Sequence, residues 1–180
     1  LPQMENAIAK LLAGEKLSDE LTRLVRPGPS LGGARPKSLI QNGQQQYLVK
    51  FSMGEEMNTE LVEHACMTLG QACDIVSAPT QALPLSTGHA LAVARFDREN
   101  GARQHVISAY TALRAAGLAE GYPELAQLLR RVGHPDRFKA DQAQLFRRMV
   151  FNILMDNTDD HHKNHALIRG LDGHYRLSPA

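Results

Sequence analysis

The stretch RRMVFNILMDNTDDHHKN, residues 147–164, runs from a mainly apolar segment straight into a wholly polar one. Leu145, Met149 and Ile153 form one stripe at helical spacing, and Phe146, Val150 and Leu154 form the stripe beside it. A helix over 141–156 is therefore predicted to be apolar nearly all round, and buried. The nine residues NTDDHHKNH (157–165) contain no apolar side chain. Three chemistries fit them. His161 and His165 have an HxxxH spacing that ligates a transition metal from a helix, although HALIR (165–169) predicts a strand there instead. Asp159 and Asn164 offer a second: a carboxylate that accepts the proton of an attacking hydroxyl, and an amide oxygen that ligates Mg2+ without adding negative charge. A hydrophilic turn capped by Asp159 is the third.

Working outward, HALIR and HYRLS read as two short strands around the turn GLDG. Between 106 and 156 every apolar pattern is helical, over roughly 106–116, 122–132 and 141–156. The first hundred residues differ. Met4, Ile8, Leu11 and Leu12 predict a helix over 3–13 ended by Gly14, followed by the turn-rich RPGPSLGGARPK (26–37). SLI (38–40) and YLVKF (47–51), separated by QNGQQQ with its Asn-Gly signal, predict a hairpin. A helix over 58–72 is expected to pack the face of Leu61, Ala65, Cys66 and Leu69 on that hairpin. IVSAPTQALPLS (75–86) and HALAVARFD (89–97) read as two further strands, with Pro79 and Pro84 placing the first at a sheet edge. The charged connector DRENGARQ (97–104) separates this region from the helical one, which gives two lobes, 1–97 and 98–180.

Length and composition bound the function classes. A chain of 180 residues holds one domain or two small lobes. With 20 Lys and Arg against 19 Asp and Glu, a net charge of +1 gives no general case for nucleic-acid binding. No apolar run approaches the roughly 20 residues that span a bilayer, and LPQMENAIAK lacks the order of a secretion signal, so a soluble cytoplasmic protein without a membrane partner is expected. Cys66 and Cys73 lie two helical turns apart, too far for a disulfide, and are expected as free thiols in the core.

Two more features carry chemistry. The loop SLGGARPK (30–37) lets backbone N–H groups approach a phosphate, with Arg35 and Lys37 adding charge, though Gly-Gly is also a common turn. Lys50, on the strand YLVKF, can pair with a phosphate or with Glu60 or Glu63 on the next helix, or face solvent. The order loop, lysine, glutamate helix, Asp-x4-Asn is that of a protein-kinase-like fold.

The segments SLGGARPK, LVKF, LAVARFDR, RRMVFNILMDNTDDHHKN and RLSPA together make the chain resemble the HipA-like serine/threonine kinases of bacterial toxin–antitoxin systems, from residue 30 to the end. The resemblance implies an α+β, protein-kinase-like two-lobe fold, incomplete at both ends: a small sheet lobe with one helix, then a mainly helical lobe. It implies ATP and Mg2+ as cofactors. Ser30 matches a serine whose autophosphorylation swings the loop out and inactivates the kinase, and Gly32, Gly33, Ala34, Arg35 and Lys37 match its nucleotide-contacting part. Lys50 matches the lysine on the α- and β-phosphates, and Glu63 its helix partner, with Glu60 as the fallback. Ala94, Arg95 and Phe96 match the hinge that bonds adenine through its backbone. Asp159 matches the catalytic base, with Asp160 only a neighbour; His161, Lys163 and Asn164 match the rest of the catalytic loop, Asn164 as a Mg2+ ligand.

The family continues past RLSPA with an aspartate that is the second metal ligand, so these 180 residues alone are expected to be inactive. Implied partners are a protein substrate, with aminoacyl-tRNA synthetases as candidates, and a small antitoxin through which DNA is contacted indirectly. Two other classes share parts of the pattern. A small-molecule kinase of the aminoglycoside or choline type would transfer phosphate to a soluble alcohol or amino sugar, and an inactive kinase-fold module would bind its partner without binding ATP.

Overall fold

A computed structural model describes residues 2–25, 36–52, 55–99 and 101–179, and the chain divides into two units, 1–69 with 78–95, and 70–77 with 96–180. Ser30, Gly32, Gly33, Ala34 and Arg35 lie outside the described residues.

In the first unit, helices α1 (Pro2–Leu12) and α2 (Asp19–Val25) precede β1 (Lys37–Asn42) and β2 (Gln45–Phe51). After α3 (Thr59–Ala72) come β3 (Thr80–Pro84) and β4 (His89–Ala94), which complete an antiparallel sheet in the order β1-β2-β4-β3. The proline-bearing strand β3 stands at its edge, where a missing N–H costs no ladder bond. The β1–β2 turn falls one residue after the Asn-Gly signal: Asn42 pairs with Gln45, and Gly43 takes φ +59° as the first central residue, the position that a type II′ turn reserves for glycine. Alternation along β2 buries Val49 and Phe51 completely against Ala7, Ile8, Val25, Ala90 and Ala92, which sends Lys50 to the opposite face. The short helix α2, absent from the patterns above, is started by Ser18, whose Oγ accepts from Leu21 N–H, and contributes Val25 to this core.

Helix α3 begins at Asn58, whose Oδ1 accepts from Leu61 N–H. Its rotation corrects the sequence expectation. Leu61, Ala65 and Leu69 are exposed, whereas Glu60 is buried and Glu63, His64 and Met67 are half-buried. Polar contacts decide this: Lys50 Nζ meets Glu63, and His64 Nδ1 lies 2.8 Å from Thr80 Oγ1. Those bonds need the charged side of the helix against the sheet, and the apolar stripe turns outward.

In the second unit the expected connector contains a two-stranded ribbon, β5 (Arg98–Glu99) and β6 (Ala102–Arg103). It is followed by β7 (Val106–Ser108), α4 (Ala109–Ala115), α5 (Tyr122–Val132), α6 (Phe138–Leu154), β8 (Ala166–Arg169) and β9 (Tyr175–Leu177). Residues 106–108 are thus strand and not the start of a helix. Val106 and Ile107, both β-branched, pair with Ile168 and Leu167, and Ser108 then caps α4 by accepting from Thr111 N–H at 3.2 Å. The sheet β7-β8-β9 closes over a core of Ala109, Leu113, Leu125, Leu128, Leu129, Leu145, Leu167 and Leu177.

Helix α6 runs over Phe138–Leu154 and is not buried all round. Leu145 and Arg148 are buried, but Phe146, Ile153 and Leu154 are exposed, because the described residues provide packing partners on one side only. Cys66 and Cys73 are free; Cys66 is half-buried and Cys73 exposed, so the latter is no core residue. Among the described residues, no helix is long and apolar enough to cross a membrane.

Candidate active site

In the first unit the candidate residues lie on β2 and α3. Lys50 and Glu63 form an ion pair at 2.6 Å, part-buried, between the strand and α3. Glu60, the other carboxylate in reach by sequence, is buried, and Thr59 Oγ1 donates to its Oε2 at 3.1 Å. Lys37 stands opposite Lys50 in the β1–β2 register. Burial, and then the charge of Lys50, hold the Lys37 ammonium below its ordinary value. Lys37 and Lys50 thus place two cations opposite each other on adjacent strands.

At the end of β4, the backbone N–H of Ala94 donates to Pro79 O and that of Arg95 to Gln46 O, both at 2.8 Å. Arg95 O accepts from Gln45 Nε2 at 3.3 Å. These bonds fix the strand end, and they commit the two N–H groups. Phe96 belongs to the second unit.

In that unit the polar segment after α6 forms a loop stitched to itself. Asp159 N–H donates to Asn157 Oδ1 at 3.3 Å, Asn164 N–H to His161 O at 2.8 Å, and Asn164 Nδ2 to Asp159 O at 2.7 Å. One Nδ2 hydrogen being so used, the amide oxygen of Asn164 is the acceptor it can offer a cation. The Asp159 carboxylate is 90% exposed and lies 3.8 Å from His161 Nε2. An exposed carboxylate and an amide oxygen are hard oxygen donors, and so fit Mg2+ better than a soft or transition metal. The HxxxH spacing is not carried on a helix: residues 161–165 form turns, His161 is exposed, and His165 is buried with its Nε2 3.2 Å from Asp160 Oδ1. Lys163 Nζ sits 5.3 Å above the Tyr110 ring, and His162 Nδ1 lies 3.3 Å from Glu120.

The backbone of the loop also serves α4. Ala109 N–H donates to His165 O and Tyr110 N–H to His162 O, so loop carbonyls satisfy two of the first N–H groups that a helix cannot pair internally.

Beneath the loop lies a polar cluster that the sequence patterns missed. Asp160 accepts from Tyr122 Oη at 2.5 Å and from His165 Nε2 at 3.2 Å, and Asn152 Nδ2 reaches Tyr122 Oη at 3.5 Å. Burial raises the Tyr122 hydroxyl well above its ordinary pKa, with the Asp160 hydrogen bond adding to it. Burial also lowers His165, against the pull of Asp160. A carboxylate only accepts, so Nε2 carries the proton facing Asp160, and Nδ1 is left buried with no hydrogen-bond partner among the described residues. Nearby, buried Arg148 donates to Val76 O and Ser178 O, and desolvation brings it down to about 10. The clue available in the sequence was that Asp160 and His165 repeat the five-residue spacing of Asp159 and Asn164, one position on.

A separate cavity of about 900 Å3, lined by Arg103, His134, Arg137, Arg169 and His174 among others, contains none of the expected site residues.

Solved structures with folds similar to this one include a toxin of a toxin–antitoxin system and a proinflammatory kinase. The chain is 22% identical to HipA of the Shewanella oneidensis MR-1 toxin–antitoxin system, solved with HipB and its operator DNA; the match has a TM-score of 0.67 and covers 98% of this chain and 48% of that one. It is 15% identical to the Helicobacter pylori proinflammatory kinase CtkA, with a TM-score of 0.65, covering 86% of this chain and 55% of that one. The chain therefore has part of a kinase-like α+β fold and spans about half the length of these relatives. Comparison with curated proteins gives no match. The model of the HipA-like C-terminal domain matches residues 29–180, and the chain belongs to that family.

Proposed function

We propose that the chain carries the nucleotide-binding and catalytic elements of an ATP-dependent serine/threonine protein kinase of the HipA type, the toxin of a toxin–antitoxin pair. The observation that carries this is the pair of motifs, a strand lysine bound to a helix glutamate and an Asp-x4-Asn loop, in a chain of the HipA-like family. Bound Mg2+–ATP supplies the phosphoryl group and the positive charge that screens its oxygens. Lys50, oriented by Glu63, holds the α- and β-phosphates. Lys37 and the loop residues Gly32, Gly33, Ala34 and Arg35 would be the further phosphate contacts, and the backbone of Ala94–Phe96 the adenine contact. Asn164 offers its amide oxygen to the metal, with His161 and Lys163 beside the nucleotide. Asp159 orients the substrate hydroxyl and accepts its proton as the oxygen bonds to the γ-phosphorus and the bond to the ADP oxygen breaks.

The protein partner follows from the same kinship. A small DNA-binding antitoxin fits because the Shewanella HipA was solved with HipB and operator DNA. An aminoacyl-tRNA synthetase is the candidate substrate, Ser30 the site of autophosphorylation, and the cytoplasm the compartment.

Asp159→Asn in the full-length protein is expected to abolish γ-phosphate incorporation into both substrate and Ser30, read by radiolabel and intact mass. Undiminished transfer by that variant would remove Asp159 from its role.

A further inference from the structure

We propose that Asp160, Tyr122 and His165 act as a positioning clamp that sets where Asp159 and Asn164 stand; this role rests on the phosphotransfer reading above. The loop alternates in a particular way. Asp159 is 90% exposed, whereas the side chains of its neighbour Asp160 and of His165, the neighbour of Asn164, are 15% and 6% exposed. Each proposed functional residue is therefore joined by one peptide bond to a residue anchored underneath. Consecutive Cα atoms are fixed about 3.8 Å apart, so a displacement of the anchor passes directly to its neighbour.

The anchors hold each other. Both oxygens of Asp160 are used, Oδ2 by Tyr122 and Oδ1 by His165, which closes a ring across residues 160–165. Hydrogen bonds to an ionised carboxylate are about twice as strong as neutral ones, and here they are shielded from water. Tyr122 stands on α5 and is contacted by Asn152 of α6, so the ring is tied to two helices of the same unit. The tyrosine and imidazole rings meet edge to face with centroids 5.4 Å apart, which limits rotation of either.

A cluster that merely stabilised the fold would lower activity only as far as it unfolds the protein. A clamp has a different signature, because misplacing reacting groups slows chemistry in molecules that remain folded. Tyr122→Phe removes one hydroxyl and keeps the ring; Asp160→Asn and His165→Gln test the other two members. In the full-length protein, Tyr122→Phe is expected to lower kcat by about 10–100-fold with KM for ATP nearly unchanged, and to raise the Mg2+ concentration at half-maximal rate. Amide hydrogen exchange at 159–165 is expected to accelerate in the same variant.

Normal kcat in folded Tyr122→Phe and His165→Gln, beside an inactive Asp159→Asn, would overturn the clamp and leave the phosphotransfer reading standing. Activity lost only in proportion to the unfolded fraction would overturn it too. Transfer retained by Asp159→Asn would instead remove Asp159 from its role as base, absence of any γ-phosphate transfer by the unmutated full-length protein would sink the phosphotransfer reading, and in either case hydrogen exchange would still decide whether Tyr122 holds the loop. If Asp160→Asn fails to fold, the Tyr122 and His165 variants carry the test.

Discussion

Lys50 and Glu63 separate two consequences that are easily merged. Their side chains are 32% and 41% exposed, so solvent screens the 2.6 Å pair and its removal should cost only about 0–1 kcal/mol of stability. A lysine that holds phosphates has a far larger effect on turnover. Lys50→Met is therefore expected to leave the melting temperature within a few degrees and to reduce phosphotransfer by about 100-fold or more, with Glu63→Gln intermediate. Thermal melts and initial rates on the same preparations check this. At this scale the sequence was readable where neighbours in the chain decide: Val49 and Phe51 bracket Lys50, and strand alternation follows. It was not readable where a distant residue decides. Asp159 and Asp160 are chemically identical, and it takes Tyr122, 38 positions from Asp160, together with His165 to make one of them the inward residue.

At the scale of elements, β7 and α3 show the same limit. A helical pattern over 106–116 was plausible locally, but Val106 and Ile107 find strand partners at Ile168 and Leu167, some sixty residues later. The rotation of α3 depends on Lys50 and Thr80, neither of which lies in the helix. Hairpins and long helices, whose signals are contained within one segment, were legible; the two-residue ribbon β5–β6 was too short to leave any pattern.

Helix α6 yields a pH prediction. Burial raises the pKa of Asp141 above its ordinary 3.8, opposed by the Leu177 N–H bond and by Arg176 and Arg148. The folded chain then holds that proton more tightly than the unfolded one, so this residue's contribution is best below the unfolded value and is lost as pH rises through the folded value. Asp141→Asn is expected to be the more stable protein at pH 7 and to lose that advantage near pH 3. Urea midpoints at the two pH values test the sign.

For the whole molecule, the exposed apolar residues are the notable surface. Leu61, Val62 and Leu69 stand out on α3, and Phe146, Ile153 and Leu154 on α6. Apolar patches of this kind cause association in water. The 180-residue chain on its own is expected to self-associate at micromolar concentration, and Ile153→Glu with Leu154→Glu to reduce this without lowering the melting temperature. Light scattering and sedimentation decide. The kinase-like order of motifs was legible because it depends on sequence order alone, while the outward face of α3 follows from its polar contacts with Lys50 and Thr80 and that of α6 from which described residues pack on it.

The self-stitched loop at 157–165 has one further consequence, for time and not for place. Several of its hydrogen bonds join its own atoms and others tie it to Tyr122 and the start of α4, so its shape is set when the chain folds. Ordering a flexible loop costs roughly 1–2 kcal/mol per residue, and a floppy version would meet that cost again with each nucleotide that arrives. Here the entropy is already spent before any ligand would bind, and each binding event would begin from the same conformation.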